Sequence, residues 1–166
     1  MYARGKIILM AVCLLSISVA VGAIDSKSWI PFIPGTLGGL NASGPPVRFD
    51  MDMGDQSMHN LTQEYSDKSK KKISLTILSG AAAQAQAHQS MSRGQMETQD
   101  QVVKTVNVSG YKSLFTLNKV TKNGTLIISL DTQTLVIIDA VPITSEKEML
   151  PLAKEVPLKK IATQAK

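Results

Sequence analysis

Four β-type segments crowd the second half of this 166-residue chain, separated by gaps too short for anything but a reversal of direction. Gln101 to Val108 is rich in Val and Thr, Ser109-Gly110 follows, and Tyr111 to Val120 runs back. Asn123-Gly124 then precedes Thr125 to Leu130, and Thr134 to Val141 completes the set. Gaps of a few residues join antiparallel neighbours, because a parallel crossover needs a dozen residues or more. The segments therefore predict an antiparallel meander. Asn123-Gly124 predicts a two-residue hairpin turn there, since both residue types accept the positive φ of a type I′ turn. Leu135, Val136, Ile137, Ile138 and Ala140 form a nearly unbroken apolar run, which predicts an interior strand covered on both faces.

Upstream, Lys72 to Ile77 alternates strictly and places Ile73, Leu75 and Ile77 on one face of a strand. Gly80 ends it. Ala81 to about Met91 is rich in Ala and Gln, good helix formers, with Ala81, Ala82, Ala85 and Ala87 placed to let the helix lie close to a sheet. Ser145 and Glu148 match a capping box at the start of a helix carrying Met149, Leu150, Leu152, Ala153 and Val156. Pro151 is expected to kink or restart that helix, and Pro157 to open a last short turn with Leu158 and Ile161. The fold class expected is α+β: an antiparallel sheet of about five strands, order β-α-β-β-β-β-α, with helices on one face. This domain spans 61–166. Aromatic residues are only 4% of the chain, so its core is expected to consist mainly of Ile, Leu, Val and Ala.

The N-terminus has the three-part grammar of a secretory signal peptide over 1–23. Arg4 and Lys6 give a positive start, Ile7 to Val21 is apolar and uncharged, and Val21-Gly22-Ala23 offers a cleavage site. An uncleaved membrane anchor is the alternative; membrane contact is expected only if this segment is retained. The one cysteine, Cys13, lies inside the leader, and Val12 before it does not suit a lipidation site. A processed chain would hold no thiol, hence no disulfide and no cysteine-based metal site. The expected location is extracytoplasmic, periplasmic or secreted.

Between the leader and the domain, 24–60 contains Pro31, Pro34, Pro45 and Pro46 with several glycines among them, and is read as an extended arm without regular strands. Within it, Trp29-Ile30-Pro31-Phe32-Ile33-Pro34 concentrates apolar bulk. These side chains either fold back to cap the core or form an exposed patch for a membrane or partner.

Charge excludes one class of partner. The formal charge is +5, and without Arg4 and Lys6 the balance is 16 basic to 13 acidic residues, too mild and too interleaved for nucleic acid. Lys68, Lys70, Lys71 and Lys72 are read as a solvated turn guarding a strand edge. Four sequons, at Asn41, Asn60, Asn107 and Asn123, are open to glycosylation or to turn chemistry.

No catalytic pattern appears. Nucleophilic catalysis needs a base beside the nucleophile, and His59 and His88 both sit in polar stretches with no adjacent acid. Asp50, Asp52 and Asp55 lie in the arm, a poor support for catalytic geometry. The chain is therefore read as a non-enzyme. The unusual composition is methionine: Met51, Met53, Met58 and Met91 share a window with His59 and His88. Thioethers select Cu(I) and imidazole adds capacity for Cu(II), so these six residues are the candidate set for the alternative reading, a copper-binding protein; the main reading needs no cofactor.

The succession Tyr65-Ser66, Ile73 to Leu78, Val106-Asn107-Val108-Ser109-Gly110-Tyr111, Gly124-Thr125-Leu126-Ile127, Leu135 to Ile138 and Leu150 to Ile161 resembles a loose group of small exported bacterial and archaeal α+β proteins of unknown function. A similar ending occurs in extracytoplasmic domains of some anti-sigma-like and lipoprotein-sorting-like proteins. The resemblance spans about Gln63 to Ala162 and implies an α+β fold outside the cytoplasm, with no ligand and no active site. Taken together, the expected function is that of an exported binding or accessory domain whose partner is an envelope or cell-surface protein.

Overall fold

The structure is a computed structural model that describes residues 25–53, 57–68, 70–92 and 94–164; the expected leader over 1–23 lies outside them. It is a sheet-dominant α+β fold. A 3-10 helix, Ser26–Phe32, opens the described chain and leads to a small hairpin of β1 (Thr36–Leu37) and β2 (Leu40–Asn41). The main sheet follows with β3 (Val47–Met51), β4 (Met58–Ser66) and β5 (Lys72–Gly80), then helix α1 (Ala81–Met91). After α1 come β6 (Met96–Glu97), β7 (Gln101–Val108), β8 (Tyr111–Asn118), β9 (Asn123–Ser129) and β10 (Thr134–Val141). Helices α2 (Glu146–Glu155) and α3 (Leu158–Gln164) close the fold.

The main sheet has eight strands in the order β3-β4-β5-β10-β9-β8-β7-β6, every neighbour antiparallel. Two meanders thus meet at β5 and β10, and α1 carries the chain from the sheet's middle to its far edge. The expected meander from Gln101 to Val141 is present. Its Ser109-Gly110 link is a two-residue turn with φ of 53° and 93°, and the Asn107 side chain accepts the Gly110 N–H at 2.9 Å. The second hairpin is displaced from its expected turn. Asn123 and Gly124 already belong to β9, opposite Asn118 and Leu117, and the chain reverses at 119–122. There the Asn118 carboxamide oxygen accepts the N–H groups of Val120 and Thr121. Gly124 has a packing reason instead: a Cβ there would lie 2.9 Å from Met149 Cε and 3.0 Å from Ile143 Cγ2. A turn preference gave way to the close approach of α2.

Three expectations are corrected. The sheet has eight strands rather than about five, because β3, β4 and the short β6 join it; 24–60 is not a strandless arm but supplies β3 and the start of β4, and the separate β1–β2 hairpin besides. The helices do not share one face. Ile73, Leu75 and Ile77 of β5 join Val136, Ile138 and Ala140 of β10 in the main core with Trp29, Met149, Leu152, Leu158 and Ile161. Leu78 and Leu135, of opposite parity on the same two strands, pack instead with Ala83 of α1. The 3-10 helix, α2 and α3 therefore cover one face, the core face, and α1 covers the other. Finally, Ser145 makes no side-chain cap; Glu148 reaches back to the N–H of Thr144 at 3.3 Å and to its hydroxyl. Pro151 is accommodated inside α2, which ends at Glu155, and α3 starts at Leu158, directly after Pro157.

The capping alternative for the Trp29 segment is the one the structure adopts. Trp29 is fully buried in the main core, Leu37 and Leu40 are buried with it, and Phe32 and Ile33 pack against it. Tyr65 on β4 is fully buried below them and donates its hydroxyl to the Pro34 carbonyl at 2.7 Å; burial pushes its phenol up to about 12. Among the described residues no helix is long and apolar enough to cross a membrane.

Candidate binding face

Among the described residues, polar side chains gather in a closed cluster on the core face and along an open face on the other side of the sheet. The closed one begins at β3. Alternation along β3 and β4 sends Arg48, Asp50, His59, Leu61, Gln63 and Tyr65 toward the core face, with Asp50 opposite His59 in register. The His59 ring is 3% exposed. Its Nδ1 lies 3.0 Å from one Asp50 oxygen and its Nε2 lies 3.6 Å from Asp52. Ser26, fully buried at the start of the 3-10 helix, donates its hydroxyl to the other Asp50 oxygen at 2.8 Å and its N–H to the first at 3.2 Å. Burial by itself would raise the Asp50 carboxyl, but the bonds from Ser26 and His59 outweigh it and hold the group below its ordinary value. His59 thus has acidic neighbours that the sequence hid from view, contrary to the expectation of an isolated imidazole.

Ser, His and Asp together invite a catalytic interpretation, which the connectivity opposes. A nucleophilic hydroxyl must be bonded to its base. Here the Ser26 proton points at Asp50, and His59 sits on the far side of the same carboxylate. Neither the hydroxyl nor the ring is open to a substrate. The cluster is a polar clamp that fastens the 3-10 helix to β3 and β4, with Arg48 bracing it 3.5 Å from Asp25 and 3.8 Å from Asp50. Gln63, also buried, is satisfied likewise through the carbonyls of Gly44 and Glu64.

The open place is the face that carries α1. This helix has an almost featureless surface of Ala and Gln, and it meets the sheet along Ala83, Ala87 and Ser90, a stripe at i, i+4 and i+7, with Ala82 packed beside it as expected. Ala81 and Ala85, expected against the sheet, are exposed. With so narrow a footprint, α1 leaves a groove on each flank. One, of about 620 Å³, lies between Gln84, Ala87, His88 and Ser92 of the helix and Ser129, Asp131 and Thr132 at the β9–β10 turn. The other, of about 570 Å³, runs between Ala82, Ala85, Gln86, Gln89 and Ser90 and the β8–β9 surface of Leu114, Thr116, Thr125 and Ile127. Both combine an apolar floor with hydrogen-bonding side chains, Asp131 in the first groove being the one carboxylate among them.

The expected copper set is divided by this geometry. Met51 and Met58 are register partners on the α1 side of the sheet, whereas His59 faces the core between two carboxylates. Strand alternation sends neighbours 58 and 59 to opposite faces, which the linear spacing could not convey. Met53 is 60% exposed beyond the end of β3. His88 belongs to the first groove, and Met91 is the last residue of α1. Asp55 lies outside the described residues. Among the described residues, no group of three or more His, Cys, Asp or Glu is placed to hold a metal ion. The groove residues Gln84, Gln86, Gln89, Thr116 and Thr125 were not singled out from the sequence, because nothing in a run of Gln and Thr distinguishes a groove wall from ordinary surface.

No family model matches the chain, and neither does any curated protein or solved structure.

Proposed function

We propose that this chain is an exported binding domain that acts by contact rather than by catalysis, and that the grooves flanking α1 receive a segment of an envelope or cell-surface protein. The observation that carries the reading is the contrast between the two faces. The core face is closed by the 3-10 helix, α2 and α3, down to its buried polar residues. The other face is crossed by one slender helix, with donors and acceptors along both sides, uncharged apart from Asp131 and the His88 imidazole in the first groove. Gln, Ser and Thr side chains suit an extended polypeptide, whose backbone offers alternating N–H and C=O groups and no net charge. Export is supported by the signal-peptide grammar of the sequence over 1–23.

A photo-crosslinking residue tests this in the native host. Placed at Gln84 or Gln89 it is expected to trap one envelope or surface protein, while the same residue at the exposed Thr163, on α3, traps none. Identical adducts from all three positions, or none from the groove positions, would defeat the proposal.

A further inference from the structure

The molecule has a second unpartnered surface, the outer edge of β3. Sheet order leaves β3 at one end, and among the described residues it pairs with β4 alone. Edges of this kind are normally blunted by lysine, proline, shortness or a covering segment. The opposite end of the sheet follows that rule: β6 is two residues long, covers Val102 and Val103, and leaves Lys104 just beyond it. β3 does not. Its prolines, Pro45 and Pro46, precede the strand, and it presents Val47 at 70% exposure and Phe49 at 50% on the α1 side.

The sequence of β3 is Val47-Arg48-Phe49-Asp50-Met51, and it is complementary to itself when reversed. In an antiparallel pair related by a two-fold axis through Phe49, Arg48 stands opposite Asp50 of the second copy, and Asp50 opposite its Arg48. Val47 stands opposite the second copy's Met51, and the two Phe49 rings meet on the axis. Directly opposed residues share a face. Ion pairs would therefore line the core side and apolar pairs the α1 side. Arg48 already lies 3.8 Å from its own Asp50, so the side chain is at the height the exchanged pair requires. A register shift by one residue would set Arg48 or Asp50 against an apolar neighbour and lose both ion pairs. We infer that the β3 edge joins two copies of this chain through an antiparallel β3–β3 contact centred on Phe49, making one continuous sheet across the dimer. Closed two-fold pairing of this type uses the same patch on both subunits and stops at two.

Sedimentation velocity on the purified chain tests the inference, with two variants made at the exposed axis position. The wild-type chain is expected to dimerise with rising concentration. Phe49→Lys and Phe49→Glu, each placing like charges face to face, are expected to remain monomeric over the same range while keeping the wild-type far-UV circular dichroism. An equimolar mixture of the two is expected to recover the dimer, which a merely unfolded variant could not do. A wild-type chain that stays monomeric at all concentrations, including one that accepts only an unrelated extended peptide, contradicts the inference. So does a dimer that survives Phe49→Lys, and so does a mixture that stays monomeric.

Discussion

Replacing Gly80 by alanine is expected to destabilise the fold by about 3 kcal/mol or more, through backbone strain and overpacking together. Gly80 joins β5 directly to α1 with φ 94° and ψ −158°, a region that essentially only glycine occupies. Space is denied as well as conformation: an added Cβ would sit 2.0 Å from the Ser57 carbonyl oxygen and 2.8 Å from its carbon. That carbonyl cannot simply withdraw, because it accepts the Ala81 N–H at 3.0 Å and so caps the start of α1. Neither neighbour is the flexible end of a side chain. Since whole domains are stable by only about 5–15 kcal/mol, urea unfolding followed by circular dichroism should show a large fall in midpoint. Gly35→Ala is the control, with nothing within 4 Å of its added Cβ; it is expected to change stability by less than about 0.5 kcal/mol.

Truncating Trp29 to alanine is expected to cost about 3–5 kcal/mol, the range for removing a large buried aromatic side chain. The indole is fully buried in the main core, and the 3-10 helix that carries it is held by a polar clamp on one side and by α3 on the other. A rigid surround cannot collapse into the cavity, which favours the upper part of the range. Its N–H has no hydrogen-bond partner among the described residues. Trp29→Phe should therefore cost far less, because it preserves most of the packing and removes an unsatisfied donor. The same urea titration separates the two variants.

The parts of the fold legible in the sequence are those written in local periodicity. Lys72 to Ile77 alternates, Gln101 to Val141 is a series of β-type segments between short turns, and Ala81 to Met91 is rich in helix formers; each became the expected element. β4 escaped notice because its buried row is His59, Leu61, Gln63 and Tyr65, half of it polar. His59 and Gln63 are tolerable inside only because Asp50 and the Gly44 carbonyl meet them, and both partners come from a stretch whose prolines and glycines suggested a tether. β3 and β4 thus explain one another, and neither is evident alone. The candidate face divides in the same way. The helix that shapes it was visible, but the grooves arise where α1 lies against strands more than twenty residues later, a juxtaposition that no local pattern encodes. The methionines illustrate the converse: closeness in sequence at Met58-His59 becomes separation by the thickness of the sheet.

Every part of this account depends on the segment from 25 to 53 being built into the domain, since that is what closes the core face and leaves the α1 face and the β3 edge to make contacts. Trp29 is the chain's only tryptophan, so its fluorescence reports on that segment alone. Followed through a urea titration beside far-UV circular dichroism, it is predicted to start blue-shifted and shielded from aqueous quencher, and to change in one transition with the same midpoint as the backbone signal. Emission already red-shifted and freely quenched in the absence of urea, with the circular dichroism transition unaffected, would contradict it.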